Sequence, residues 1–155
     1  MRIQSSADWH EYRRLSRALK DAGRGDLQKE LRQQIRRSGD PALAAARTAA
    51  LGVDFSGGPA GSTGLRARIA GATRLQVLAS GIRFQVFPSR VDPKYGETLV
   101  LGSEGKRWRH PTFGHRPWKP QWGEPWFYPT LRSHGPAFRR AAVQAMHRIM
   151  AKIAG

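Results

Sequence analysis

The chain has 155 residues, a length that suits one domain, and its 27 lysines and arginines against 11 acids give a formal charge of +16. It has no cysteine, which excludes disulfides, thiolate metal sites and cysteine nucleophiles. A hydrophobic fraction of 39% diluted by 17 glycines predicts a modest core that neighbouring subunits complete, so an oligomer is expected.

The first 20 residues carry Arg2, Arg13, Arg14 and Arg17 among polar residues, with no apolar run of the signal-peptide kind. No segment approaches the ~20 apolar residues that span a bilayer. The expected product is soluble, without a membrane partner, made in the cytoplasm or in a particle assembled there. From Ser6, the positions Trp9, Tyr12, Leu15 and Leu19 recur at spacings of three and four, predicting an amphipathic helix that Gly23 stops. From Asp26 a second run places Leu27, Leu31 and Ile35 four apart, with acids near its start and Arg36 and Arg37 further on, as the helix dipole favours. Ser38-Gly39-Asp40-Pro41 reads as a break, after which Pro41 can open the alanine-rich run to Leu51. Three helices, or two with a long second one, both satisfy the pattern.

Residues Gly52 to Gly64 are glycine-rich and read as a loop. They contain neither a Walker lysine nor an ordered GxGxxG, so a phosphate cradle is the weaker reading. A short helix, Leu65 to Ala70, follows. Thr73 to Ala79 and Ile82 to Phe87 alternate with period two across Ser80-Gly81, which predicts a hairpin. One face should be buried and the other should carry Arg74, Gln76, Arg83 and Gln85. A lone hairpin is marginal, so further strands, from the arm or a neighbouring subunit, or a covering helix are required. Tyr95 to Leu101 fits either a short helix or a strand.

The run from Lys106 to Pro129 holds four of the five tryptophans and five of the ten prolines. Proline fixes φ and removes an amide donor, so this run is expected to be an extended surface arm rather than a helix interior or a central strand. Trp, Phe and Arg on a stiffened ribbon suit docking on another surface. After it, Thr130 to Ile153 reads as a helix with Phe138, Ala142, Ala145, Ile149 and Ile153 along one stripe and Met146 and Met150 beside it. Pro136 either begins that helix or kinks it. The predicted fold class is α+β: N-terminal helices, a small antiparallel β-sheet, a long Pro/Trp-rich arm at residues 104–129 and a C-terminal helix, in a single domain spanning 1–155.

Enzyme chemistry finds little support in the residues, and no catalytic residue is assigned. The acids are scattered, whereas a metal-dependent nuclease needs clustered carboxylates. Asparagine is absent, which removes a His-Asn-His signature, and no G-x-S-x-G elbow occurs. His110 and His115, joined by His134 or Glu124, are the best metal candidates, yet nothing completes their ligand set; histidines packed on aromatics are the preferred reading. No metal or cofactor is expected. Nucleic-acid binding is the serious competitor: ten basic and two acidic residues leave 104–155 with +8, and Arg/Trp interleaving could stack bases. No zinc finger, RRM motif or KH loop accompanies it. Arg139, Arg140, Arg148 and Lys152, on the outer face of the last helix, are candidates for contact with channel DNA or another polyanion, set against a merely solvated face.

From Arg109 to Leu131 the chain reads RHPTFGHRPWKPQWGEPWFYPTL. An Arg-His-Pro-x-Phe-Gly turn, a Trp and Gln, then Pro-Trp-Phe-x-Pro leading into the last helix resemble the neck or tail-completion (head-tail joining) protein family of long-tailed bacteriophages. Gly25-Asp26-Leu27 is a weaker match to the same family. The resemblance covers the last third closely and the rest by layout. It implies a non-enzymatic virion protein at the head-tail junction, assembled in the host cytoplasm as a ring, commonly a homo-hexamer, around the DNA channel. Its neighbours would be the head-closure (stopper) and tail-terminator or tail-tube rings, with genomic DNA passing through. On that reading Trp108, His110, Phe113, Arg116, Trp118, Trp122, Trp126 and Phe127 form the subunit or partner interface, and Trp118→Ala or Trp126→Ala should spare the monomer fold while blocking assembly. The alternative is a basic nucleic-acid-binding protein that uses the same arm.

Overall fold

The computed structural model describes residues 2–4, 9–54, 64–79, 81–112 and 115–154. The side chains of residues 2–4, and of 108–121 apart from Arg109 and Pro120, fall outside that description, as do Ser6 and most of the Gly52–Gly64 loop.

Helix α1 (Trp9–Asp21) buries Trp9, Tyr12, Ser16 and Leu19 on one face, the predicted stripe except that Ser16 is buried and Leu15 is only part-buried. Gly23, at φ 69°, ends it, with Arg24 N–H donating to the Leu19 carbonyl at 2.8 Å, and the chain turns into α2 (Gly25–Gly52). The Gln28 amide ties the two helices by donating to the Ser16 carbonyl and hydroxyl at 3.1 and 3.2 Å.

Helix α2 runs unbroken for 28 residues with Pro41 inside it, so the Ser38-Gly39-Asp40-Pro41 stretch is not a break. An interior proline costs about 3 kcal/mol. On either side Leu27, Leu31, Ile35, Leu43 and the alanines 42, 46 and 50 are buried, and each large aliphatic side chain contributes about 1.5 to 3 kcal/mol. Burial therefore outweighs the lost hydrogen bond. Gly39 is the closest point to the sheet: a Cβ there would collide with Leu75 Cδ1 and come within 2.9 Å of Ile82 Cδ1 and 3.4 Å of Phe84 Cζ. Gly39→Ala should cost about 1 to 3 kcal/mol by overpacking, measured as a lower denaturant midpoint at unchanged m-value.

After α3 (Leu65–Ala72), strands β2 (Thr73–Leu78) and β3 (Gly81–Val86) form the predicted hairpin in the register Leu75↔Phe84 and Val77↔Ile82. Leu75, Ile82, Phe84 and Val86 are buried, while Arg74, Gln76, Arg83 and Gln85 are only part-covered. The third strand comes from the chain's own N-terminus: β1 (Arg2–Gln4) pairs antiparallel with β3, giving the order β1-β3-β2. Gly81 sits under Trp9, and a Cβ there would approach the indole to 2.7 Å. Helices α4 (Pro88–Val91) and α5 (Gly96–Ser103) follow, so Tyr95–Leu101 lies in a helical region rather than a strand. Strands β4 (Trp108–Thr112) and β5 (His115–Gln121) pair with each other in a separate two-stranded sheet.

Helix α6 (Phe127–Ala154) starts three residues before the predicted Thr130 and continues through Pro136. Pro136 is exposed, so water can reach the carbonyl freed by its missing donor. Leu131, Phe138, Ala142, Ala145, Met146 and Ile149 are buried, whereas Ile153, at 47% exposure, leaves the core stripe. Phe138 packs on Phe84 and Trp9, at 6.4 and 6.0 Å between centroids. The molecule is α+β, with long helices α2 and α6 beside a small antiparallel sheet.

Candidate assembly interface

The arm is a ribbon on a built root. Asp92 Oδ1 accepts from the backbone N–H groups of Tyr95 and Lys94 at 2.7 and 2.9 Å, bonds that hold its carboxyl below the usual range and set the start of α5. Gly96 lies so close to the Pro88 carbonyl that a Cβ would overlap it. At the far end of α5 the Gly102 carbonyl accepts from both Gly105 N–H (3.1 Å) and Gly123 N–H (3.0 Å). A Cβ on Gly123 would stand 2.6 Å from the Ser103 carbonyl oxygen. The two feet of the ribbon are thus held together by backbone contact that only glycine allows.

Glu104 completes the root. Its carboxylate accepts from the backbone N–H groups of Trp126 (3.0 Å), Phe127 (2.8 Å) and Tyr128 (3.1 Å), satisfying donors that the first turn of α6 leaves without partners and placing a negative charge at the positive end of the dipole. The Trp126 indole N–H donates to the buried Ser103 hydroxyl at 3.1 Å, which donates to the Val100 carbonyl at 2.7 Å. Trp126, Phe127 and Tyr128 stack edge-on in series, at 5.5 and 5.4 Å.

These contacts correct two of the expected interface residues. Trp126 and Phe127 are 4% and 0% exposed, so they anchor the chain's own core and are not presented to a partner. The arm ends before Phe127, where α6 begins. Trp122 is exposed at 47%, beside the foot of β5. Trp108 and His110 lie on β4 and Arg116 and Trp118 on β5, with Pro111 opposite Trp118 and His110 opposite Lys119. Phe113 falls outside the described residues. Prolines 111, 117 and 120 are tolerated because a two-stranded ribbon asks each strand for bonds on one side only.

The basic face of α6 is less available than its sequence suggests. Lys152 Nζ donates to Glu30 Oε1 and Oε2 at 2.6 and 2.9 Å, and Arg148 Nε donates to Gln34 Oε1 at 3.0 Å. All four cations stand at exposed positions, and Arg148 and Lys152 are tied to α2. Hydrogen bonding from Lys152 is the main reason the Glu30 carboxyl sits below its usual value. A lowered folded value means the pair stabilises above the ordinary carboxylate range and that this is lost as pH falls through the lowered value. Glu30→Gln should remove that part of the acid limb of a stability-against-pH curve.

No family model, curated protein or solved structure matches the chain. Among the described residues no group of three or more His, Asp or Glu could hold a metal ion, and no helix is long and apolar enough to cross a membrane. Sequence reasoning missed Glu104, Ser103 and Gly123 as the parts that aim the arm. A signal existed, since Glu104 and Glu124 are the two acids in residues 104–155.

Proposed function

We propose that the chain is a structural, non-enzymatic subunit of a bacteriophage head-tail junction: a neck or tail-completion protein that joins the DNA-filled head to the tail as a ring, six-fold in the simplest case. The observation that carries this reading is the β4–β5 ribbon, which bears the Arg-His-Pro and Trp-Lys-Pro-Gln parts of the signature and pairs only with itself among the described strands. A two-stranded sheet on its own is marginal. One whose feet are clamped by Gly102, Gly123 and Glu104 is suited to be completed by a neighbouring subunit. In the virion the neighbours would be the head-closure and tail-terminator or tail-tube rings, with genomic DNA in the channel.

The test is light scattering after size exclusion, alone and beside candidate neck partners, combined with DNA binding across a salt series. Rings, or a monomer that forms rings only with those partners, support the reading. A monomer that binds DNA tightly, through an affinity that collapses when ribbon tryptophans are removed, overturns it in favour of a nucleic-acid-binding arm. Trp118→Ala, on β5, should leave the unfolding curve within about 0.5 kcal/mol of the parent and abolish ring formation, because aromatic anchors at interfaces contribute about 2 kcal/mol or more each.

A further inference from the structure

Thr73 opens β2, which forms one edge of the three-stranded sheet. The Ala72 carbonyl accepts from Phe87 N–H on the β3 side at 3.1 Å, and strand carbonyls alternate sides, so the Thr73 carbonyl points off the open edge. Two guanidinium groups converge on it: Arg47, from α2, donates through Nε and Nη2 at 3.3 and 3.0 Å, and Arg74 donates through Nη1 at 3.1 Å. Arg90, at the end of α4, lies over the Phe87 ring at 5.6 Å. Phe87 is the residue whose N–H pairs with the Ala72 carbonyl, next to Thr73, so its ring brings Arg90 to this corner; burial, and then the charges of Arg47 and Arg90, lower the pKa of Arg74.

Three like charges at one corner repel. Their neighbours are treated differently: Arg66 is 3.6 Å from an Asp54 carboxylate oxygen, and Asp92 feels the charge of Arg68. Among the described residues no carboxylate forms an ion pair with Arg47, Arg74 or Arg90. Two of the three are oriented in advance by the shared carbonyl, each with further N–H donors not used there, and planar guanidinium groups match the geometry of a tetrahedral oxyanion.

We infer that Arg47, Arg74 and Arg90 form a phosphoryl-binding site at the open edge of β2, fitted to the oxygens of a phosphate group. The site uses no residue of the ribbon or of α6, and it holds whether or not the chain forms rings. The phosphoryl group can come from a phosphodiester backbone or from a free phosphate, and two probes distinguish these sources.

The first probe is a labelled 20-base-pair DNA duplex, with affinity followed by fluorescence anisotropy from low to moderate salt. R74Q/R90Q should flatten the slope of log K against log salt by about 2, since each neutralised phosphate adds about 0.9. R14Q/R17Q, which removes the same charge from exposed positions on α1, should leave the slope unchanged. The second probe is inorganic pyrophosphate, which should raise the unfolding temperature of the parent chain and not that of R74Q/R90Q. A selective change in slope assigns a phosphodiester ligand; a selective thermal shift with an unchanged slope assigns a free phosphate. Equal losses in both double variants, or no selective effect with either probe, overturn the site. Should R74Q/R90Q fail to fold, R90Q alone, at an exposed position, carries the same comparison with a slope change of about 1.

Discussion

Trp126→Ala is expected to destabilise the chain by about 3 to 5 kcal/mol, the largest single effect among the variants considered. The indole is 4% exposed, stacks on Phe127 and donates to the Ser103 hydroxyl. Truncation opens a cavity and takes away a partner of a buried hydroxyl, two costs that add. Since a domain of this kind is held by about 5 to 15 kcal/mol in all, equilibrium urea unfolding should show a sharply lower midpoint. Trp126→Phe removes the N–H as Trp126→Ala does but leaves a smaller cavity, because a six-membered ring stays in place of the indole; a loss of about 2 to 3 kcal/mol is expected, and its difference from Trp126→Ala reads the cavity cost. If Trp126→Ala unfolds with the parent's midpoint, the indole is not part of the core and its assignment to a partner surface returns.

Glu104→Ala should cost about 2 to 3 kcal/mol, more than an ordinary cap, because the carboxylate serves three backbone donors rather than one. Glu104→Gln keeps an acceptor and loses the charge, so it should fall between the two. The discriminating readout is local: amide exchange at Trp126, Phe127 and Tyr128 should accelerate beyond what the global loss of stability accounts for. Uniform acceleration along α6 would mean that the carboxylate supports the fold in general and does not hold the root of the arm.

How far these features could be read in advance depended on the range of the interactions behind them. The Thr73–Val86 hairpin and the buried stripe of α1 rest on local periodicity, and both are present with nearly the expected limits. Pro41 misleads because its local cost is visible in sequence, while the burial that exceeds it, Gly39 against Leu75 and Ile82, joins residues far apart in the chain. Trp126 and Phe127 share a proline-rich run with Trp118, and composition cannot divide that run. What divides it is Glu104, 22 residues before Trp126. The pairing of Lys152 with Glu30, across 122 residues, was equally out of reach of any local pattern. β1 adds three residues to the sheet, too few for a periodic signal.

The closure of the ribbon's feet on the Gly102 carbonyl bears on the thermodynamics of docking. A tethered, unstructured arm of this length would lose its chain freedom at the moment of contact, and the association would be weakened by that loss. Here the ends are brought together by the folding of α5 and α6, so the loop-closure entropy is spent once, before any partner arrives. If the ribbon docks as proposed, a neighbouring surface would meet a preorganised template, and more of the contact energy of the ribbon's tryptophans would be left to appear as affinity.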